Sequence, residues 1–380
     1  MPTWASGNQG KGFDAGQMIG DHILDAHEIH FFTLHEGQPD EVHISVPLPV
    51  ILYSREFGWD VFWSSAFHHG REHQTAEHSQ NATYSADTPI HTPKQPDHSE
   101  LPPGAHAYGP YILYKHKIYL AEDGGLRLGP DGKPLNKRPL DLSITKNVAG
   151  IFLAFILLFL LFRAAAKAYQ RQGVTAPKGF QNVLETLILF VRDEIAKPSI
   201  GPKYEKFLPY LLTVFFFIFT CNLLGLIPFI GGFNITGNIA VTLTLAAFTF
   251  ALTCLNGNAS YWSHIFWPPG VPKVLYPLLI PIEIMGMFNK PLVLMLRLFA
   301  NITAGHIIIL SFVALIFIFS ALFGPLAGYA TSPFSMLFTI FMNLLELLVA
   351  FLQAYVFTLL SAIYFGQAVE EHHHSASHVH

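Results

Sequence analysis

From Phe207 to Ser263 the chain runs for 57 residues without an Asp, Glu, Lys, Arg or His. Backbone in a bilayer core must satisfy its own hydrogen bonds, and for runs of this length the α-helix does so. A span needs about 20 apolar residues, so this run holds two, with a break at Ile227 to Gly232. Composition agrees. Only 13% of the 380 residues are charged, 51% are hydrophobic and the mean hydropathy is +0.37. A soluble domain carries about a quarter charged residues. The net charge of -4 is less informative, because the charges are segregated along the chain.

Two further apolar stretches follow, Tyr276 to Phe323 and Phe334 to Phe365, with Gly324-Pro325 and Ser332-Pro333 bracketing an uncharged turn. The first is about 70 Å long if fully helical, against a bilayer core of about 30 Å. It is therefore either strongly tilted or broken at Pro281 or Pro291. Upstream, Val148 to Phe162 is nearly all apolar, and eight Lys/Arg against four Asp/Glu lie between 163 and 206. The positive-inside rule places that connection in the cytoplasm and the N-terminus outside. Five spans are predicted, at about 146–165, 207–227, 235–256, 275–323 and 334–367. Asn256 to Lys273 reads as a turn-rich interfacial loop carrying Trp262 and Trp267. Phe180, Leu184, Leu187, Ile188, Val191 and Ile195 follow helical spacing. That stripe suits a helix at about 178–197 lying in the membrane plane, or one packed on other protein.

Residues 1–145 form a polar extension holding 13 of the 20 histidines. Met18 to Phe32 suits a short helix. Val42 to Tyr53 reads as an edge strand because of Pro47 and Pro49. Tyr111 to Ala121 and Leu126 to Leu128 read as a hairpin around Asp123-Gly-Gly. His68 to Pro103 reads as loop or disorder. No apolar leader follows the polar Met1 to Asn8. Cys221 and Cys254 lie in apolar segments and read as core residues. The predicted fold is an all-α polytopic membrane protein of about five transmembrane helices. It comprises a small α+β or partly disordered extracytoplasmic extension (1–145), a membrane domain (146–369) and a His-rich tail (370–380).

One arginine, Arg297, sits in the middle of the longest apolar stretch. It does not lose its proton, and at a bilayer centre it costs between ~3 and ~17 kcal/mol. Between Lys273 and Gln367 the other ionisable residues, tyrosine aside, are Glu283, Lys290, His306 and Glu346. At 100° per residue, Lys290 lies about 20° from Arg297, and Glu283 and Asn301 about 40°. His306 lies about 180° round and roughly 14 Å along the axis. On the last helix Glu346 and Gln353 share a face, as do Asn343 and Glu346. Acid, base and amide groups spread along apolar helices suit proton movement through hydrated cavities. A fixed cation beside a partner's carboxylate favours proton release from it. Structural readings stand beside this one. Lys290 suits snorkelling to the interface or an ion pair with Glu283, and His306 with Glu346 suits a buried pair. Asn301 and Gln353 suit interhelical hydrogen bonds, and Arg297 an in-chain pair with Glu346. No ligand spacing for a metal and no phosphate loop occurs.

Leu296-Arg-Leu-Phe-Ala-Asn-Ile-Thr-Ala-Gly-His306, then Glu346 and Gln353-Ala-Tyr-Val-Phe-Thr-Leu-Leu360, resemble the a subunit of F-type ATP synthase. Asn222 to Pro228 and Thr236 to Thr242 resemble its middle-span motifs, and the likeness covers about residues 145–370. The resemblance implies a non-catalytic proton-channel stator subunit, without cofactor or nucleic acid. It would sit in a bacterial inner membrane beside a ring of c subunits and a b-type peripheral stalk. Its two long helices would be tilted. It implies that Arg297 separates two half-channels, with Asn301 and Gln353 as its polar neighbours. Glu283 would lie on the cytoplasmic exit path, and His306 and Glu346 on the outer entry path. Gly225 and Asn238 stand where some members carry acids. A secondary transporter would require a central site and internal repeats, which are not visible. A metal-handling role would rest on the histidines of the extension and of Glu370-Glu-His-His-His374.

Overall fold

The computed structural model describes residues 25–34, 42–69, 101–102, 104–122, 125–172, 179–227, 233–267 and 272–370. It divides into two compact units, Leu24–Ala149 and the helical part from Gly150 onward.

The N-terminal unit is built mainly from strands: β1 (Glu28–Leu34), β2 (Val42–Pro47), β3 (Pro49–Ser54), β4 (Gly58–Trp63), β5 (Ala105–Tyr108), β6 (Tyr111–Tyr114), β7 (Lys117–Leu120) and β8 (Leu140–Asp141). One helical turn, α1 (Ala66–His69), follows β4. All pairings are antiparallel, in the orders β1-β2, β4-β3-β8 and β5-β6-β7. Alternation drives the packing. Val50 and Leu52 point inward from β3 and meet Phe67, Tyr111, Ile118 and Leu120. The other side of the β5-β6-β7 sheet buries Ala107, Ile112 and Tyr119 over Leu126. Asp60 accepts a 2.5 Å hydrogen bond from the Tyr111 hydroxyl. Burial and the neighbouring Asp60 push that phenol well above its ordinary range.

Several local readings are corrected here. Glu28–Leu34 is a strand paired with β2, not the end of a helix; residues 18–24 lie outside the described residues. β3 is the central strand of its sheet, not an edge. Pro49 is tolerated because it is the first residue of the strand. Glu122 and Gly125 form an antiparallel bridge on either side of the expected Asp123-Gly-Gly turn, whose residues 123–124 lie outside the described residues. A further, unexpected hairpin turn falls at Lys115-His116, where both residues adopt positive φ (48° and 62°). That backbone follows the right-handed twist of the strands. Most of the stretch read as loop, residues 70–100 with Pro103, and the tail from 371 lie outside the described residues.

In the helical unit, α2 (Lys146–Gln172) is followed by α3 (Phe180–Phe190), which passes through a π-helical turn (Val191–Ala196) into α4 (Lys197–Ile200). Gly201, at φ 74°, opens the 3-10 turn leading to α5 (Tyr204–Leu226). Then come α6 (Ile239–Leu255), α7 (Ala259–Phe266), α8 (Tyr276–Phe323) and α9 (Pro325–Val369). Among the described residues, four helical stretches are long and apolar enough to cross a membrane, and α6 with α7 makes a fifth if that pair, bent by 102°, counts as one span. Trp262 therefore sits on a helix, not in a loop.

The α8 helix passes through Pro281 and Pro291 without a break, so the alternative of a helix interrupted at either proline does not occur. The expected turn at 324–333 contracts to Gly324 alone, at φ 90°, and α9 runs on through Pro333. The α3 stripe is covered by protein. Leu184, Val191 and Ile195 belong to the same core as Phe357 and Phe365 of α9, and Phe190 packs on Phe351 and Tyr355. A Cβ on Gly366 would stand 2.0 Å from the Ser199 carbonyl oxygen, so only glycine allows this backbone approach.

In the N-terminal unit, Asp141 contributes pH-dependent stability. Burial raises its carboxyl, but hydrogen bonds from His27 (2.9 Å) and Ser143 outweigh this and hold it at about 2. The contribution is present above the ordinary carboxylate range and is lost as pH falls from about 4 to about 2. With the side chain 22% exposed, it amounts to ~1–2 kcal/mol. Asp141→Asn is expected to lower stability by that amount at neutral pH and to flatten the acid dependence. Denaturant titration of the full chain, read by tryptophan emission, measures both.

Candidate functional site

The long hairpin α8–α9 places the ionisable residues of the helical unit. On α8, Leu294, Leu298 and Ile302 are buried and form the seam of the core, while Arg297 and Asn301 are exposed. Glu283 and Lys290 are half-buried. Among the described residues Arg297 makes no hydrogen bond or ion pair. It is surrounded by exposed apolar side chains, Leu292, Val293 and Leu296 on its own helix. A permanent charge presented on an apolar face without an in-chain counter-ion needs one from elsewhere. Arg297 and Glu346 do not pair.

Lys290 and Glu283 do not pair within 4 Å either. Lys290 instead donates to Gln367 Oε1 at 2.8 Å and lies 5.2 Å from the Tyr364 ring centroid. This ties α8 to the C-terminal end of α9. Asn258, just before α7, donates from its backbone to the Ala368 carbonyl and from its side chain to that of Val369, closing the end of α9.

On the opposite side of α8 the hairpin brings His306 against Glu346 of α9. His306 Nδ1 lies 3.4 Å from Glu346 Oε1, with Glu346 5% exposed. Glu346 Oε2 is buried without a partner among the described residues. Gly305 makes the approach possible, since a Cβ there would stand 2.9 Å from Glu346 Oε1. Gly225 of α5 leaves room for the Phe233 backbone beside His306. Its Cβ would meet the Phe233 carbonyl oxygen at 2.7 Å and His306 Nε2 at 3.5 Å. Two further polar residues border the same narrow crevice. Thr236 donates to Asn222 Oδ1 at 2.6 Å, and Asn222 donates to the Ala350 carbonyl at 3.2 Å. Gln353, one heptad beyond Glu346 on α9, is 8% exposed. Asn222, Thr236 and Gly305 were legible only as parts of motifs. Nothing in their spacing shows that they converge on Glu346.

Fold and site together define a polytopic membrane protein whose ionisable groups are sorted between an exposed face and a buried crevice, an arrangement suited to moving protons. The ATP synthase A chain family model matches residues 148–366. The chain is similar to ATP synthase subunit a 2 of Chlorobaculum tepidum, 50% identical over 244 residues, which cover 63% of this chain and 66% of that one. It is also similar to ATP synthase subunit a of Chloroherpeton thalassium, 43% identical over 63% of this chain and 72% of that one. A third relative, ATP synthase subunit a of Chlorobium phaeobacteroides strain BS1, is 42% identical over 75% of this chain and 83% of its own. The last match is longer than the membrane region can supply and so reaches into the N-terminal unit. A model for a domain of unknown function (DUF8433) matches residues 18–142.

The chain belongs to the ATP synthase A chain family. It is a membrane-embedded, proton-translocating component of an ATP synthase complex.

Gly305→Ala tests how the crevice depends on close helix approach. Overpacking of this kind costs ~1–3 kcal/mol. If ~1.4 kcal/mol falls on proton transfer at Glu346, flux drops about tenfold. ATP-driven proton pumping in inverted vesicles should show that drop with the complex still assembled.

Proposed function

We propose that this chain provides two offset half-channels that load and unload protons on the carboxylates of a rotating c-subunit ring, coupling proton flow to ATP synthesis. One observation carries the reading: Arg297 faces outward without an in-chain partner, while His306 and Glu346 meet on the buried side of the same helix. The two locations are half a turn and about 14 Å apart on α8.

On this reading the entry path runs past Asn222, Thr236, His306 and Glu346. Glu346 hands the proton inward through a crevice that side-chain movement must hydrate, since no water-sized space is open between its walls. The buried, unpartnered Oε2 is the oxygen left to accept or release a proton. Arg297 meets the arriving ring carboxylate and stabilises its ionised form. Its charge also keeps a bare proton from crossing directly between the two paths. Asn301 and Gln353 supply amide groups to that region. Glu283, half-buried on the Arg297 side of α8, begins the exit path.

The apolar side chains around Arg297 suit a helical ring surface. On α9, Leu337, Phe341, Leu344 and Leu348 are likewise exposed. A b-type stalk subunit completes the stator. The basic connection from Arg163 to Lys206 supports a cytoplasmic location for it. This puts the N-terminal unit outside the inner membrane and the C-terminus in the cytoplasm.

Arg297→Ala is expected to abolish ATP-driven proton pumping in inverted vesicles while the complex still purifies intact. Pumping near wild type would overturn the reading. Glu346→Gln and His306→Ala should each slow pumping tenfold or more, a loss of ~1.4 kcal/mol or greater. The double exchange His306→Glu with Glu346→His should recover part of the rate. Full activity in both single variants would remove the entry path from these residues.

A further inference from the structure

The N-terminal unit carries a surface that the proton path does not use. The sheet β4-β3-β8 buries one face in its core and leaves the other open. Along β4 the exposed positions are Trp59 (62%), Val61 (68%) and Trp63 (59%). Registration makes these a continuous row with their neighbours. Trp59 is opposite Tyr53, Val61 opposite Ile51 and Trp63 opposite Pro49. Leu140 pairs with Tyr53, and Leu142 follows it along the β3 edge through its N–H to the Ile51 carbonyl. Tyr53 and Trp59 are in ring contact at 5.0 Å. Tyr53, Leu140 and Leu142 are exposed as well. A contiguous open face of this kind, with no charged side chain among its six exposed members, marks an interaction surface.

Chain continuity shows what covers it. The strip 140–144 that forms one edge of this face leads directly into the first apolar helix at Lys146. The connection is fastened rather than slack. Ile144 N–H donates to the Pro49 carbonyl, and Ser143 Oγ accepts from the Ile51 N–H. Asp25 accepts from the Thr145 hydroxyl and from the Asn147 N–H, and Lys146 N–H donates to the Ala26 carbonyl. Three residues separate Leu142 from the helix, a reach of no more than about 14 Å from Leu142 to Lys146. Leu142, at one edge of the exposed face, is thus held close along the chain to the start of the first apolar helix. Tryptophan and tyrosine, apolar bodies with a hydrogen-bonding edge, are the side chains that settle at a membrane–water boundary.

We propose that the outer face of this sheet, Tyr53, Trp59, Val61, Trp63, Leu140 and Leu142, lies in the headgroup–acyl boundary of the bilayer and docks the N-terminal unit on the lipid surface. The inference stands independently of the half-channel assignments. A paddle of this kind fixes the entry to the first span and holds the unit against the outer leaflet.

The test uses the full chain with Trp4→Phe, Trp262→Phe and Trp267→Phe, leaving Trp59 and Trp63 as the only tryptophans. It is reconstituted in phosphatidylcholine–phosphatidylglycerol vesicles with or without bromine on the acyl chains. The expected result is a loss of tryptophan emission in the brominated vesicles and a blue shift relative to denatured protein, whether or not aqueous iodide also quenches. Absence of bromolipid quenching overturns the proposal. Iodide quenching in that case means the face is in water, and no iodide quenching means that protein covers it. Should the triple variant fail to fold, the bromolipid quenching of the natural chain is compared with that of Trp59→Phe with Trp63→Phe. An equal loss of emission in both would also overturn the proposal.

Discussion

The cost of a charge in hydrocarbon governs this membrane unit. Arginine at the bilayer centre costs several kcal/mol unless a partner or water meets it. The helices answer by sorting. Arg297 and Asn301 are turned outward, Glu346 is turned inward against His306, and Lys290 reaches Gln367 near the end of α9. Leu294, Leu298 and Ile302 fill the seam between them. One helix thus carries an outward cation on one side and an inward imidazole on the other.

Close approach is the second requirement. The α8–α9 hairpin turns at Gly324, and Gly305 leaves room for the Glu346 carboxylate. Gly225 leaves room for the Phe233 carbonyl oxygen beside His306, and Gly366 lets α9 touch the backbone at Ser199. Each is a place where a methyl group would displace a polar or backbone atom. Small residues beside the ionisable pair therefore set how closely the helices that carry it can approach. The α3 stripe belongs to the same economy of space, since it packs into the core with α9 instead of offering a free apolar side.

The N-terminal unit follows different rules, those of paired strands over small apolar cores. Its sheets bury Val50, Leu52 and Tyr111, and Asp141 takes its low pKa from His27 and Ser143. Here reading the residues in order was weakest. Asp123-Gly-Gly carries the visible turn signal and is flanked by the Glu122–Gly125 bridge, but Lys115-His116 carries none and turns because Ile112 pairs with Tyr119 and Tyr114 with Lys117. Glu28–Leu34 has a helix-compatible pattern but becomes a strand because β2 is available to it. Pro49 suggested an edge, although a first-residue proline leaves the central β3 ladder intact.

What the sequence determined by itself is what hydrophobicity and charge determine locally. These are the long apolar helices, the shared side of Arg297 with Asn301, and the opposite placement of His306, all consequences of a 3.6-residue period. Tertiary structure alone decided which distant residues meet. Glu346 reaches His306 across the hairpin, Thr236 reaches Asn222 at 2.6 Å, and Lys290 chooses Gln367 over Glu283. The unbroken path of α8 through Pro281 and Pro291 is set there too. The period of a helix is written in its own residues, whereas the distance between two helices depends on every side chain packed between them.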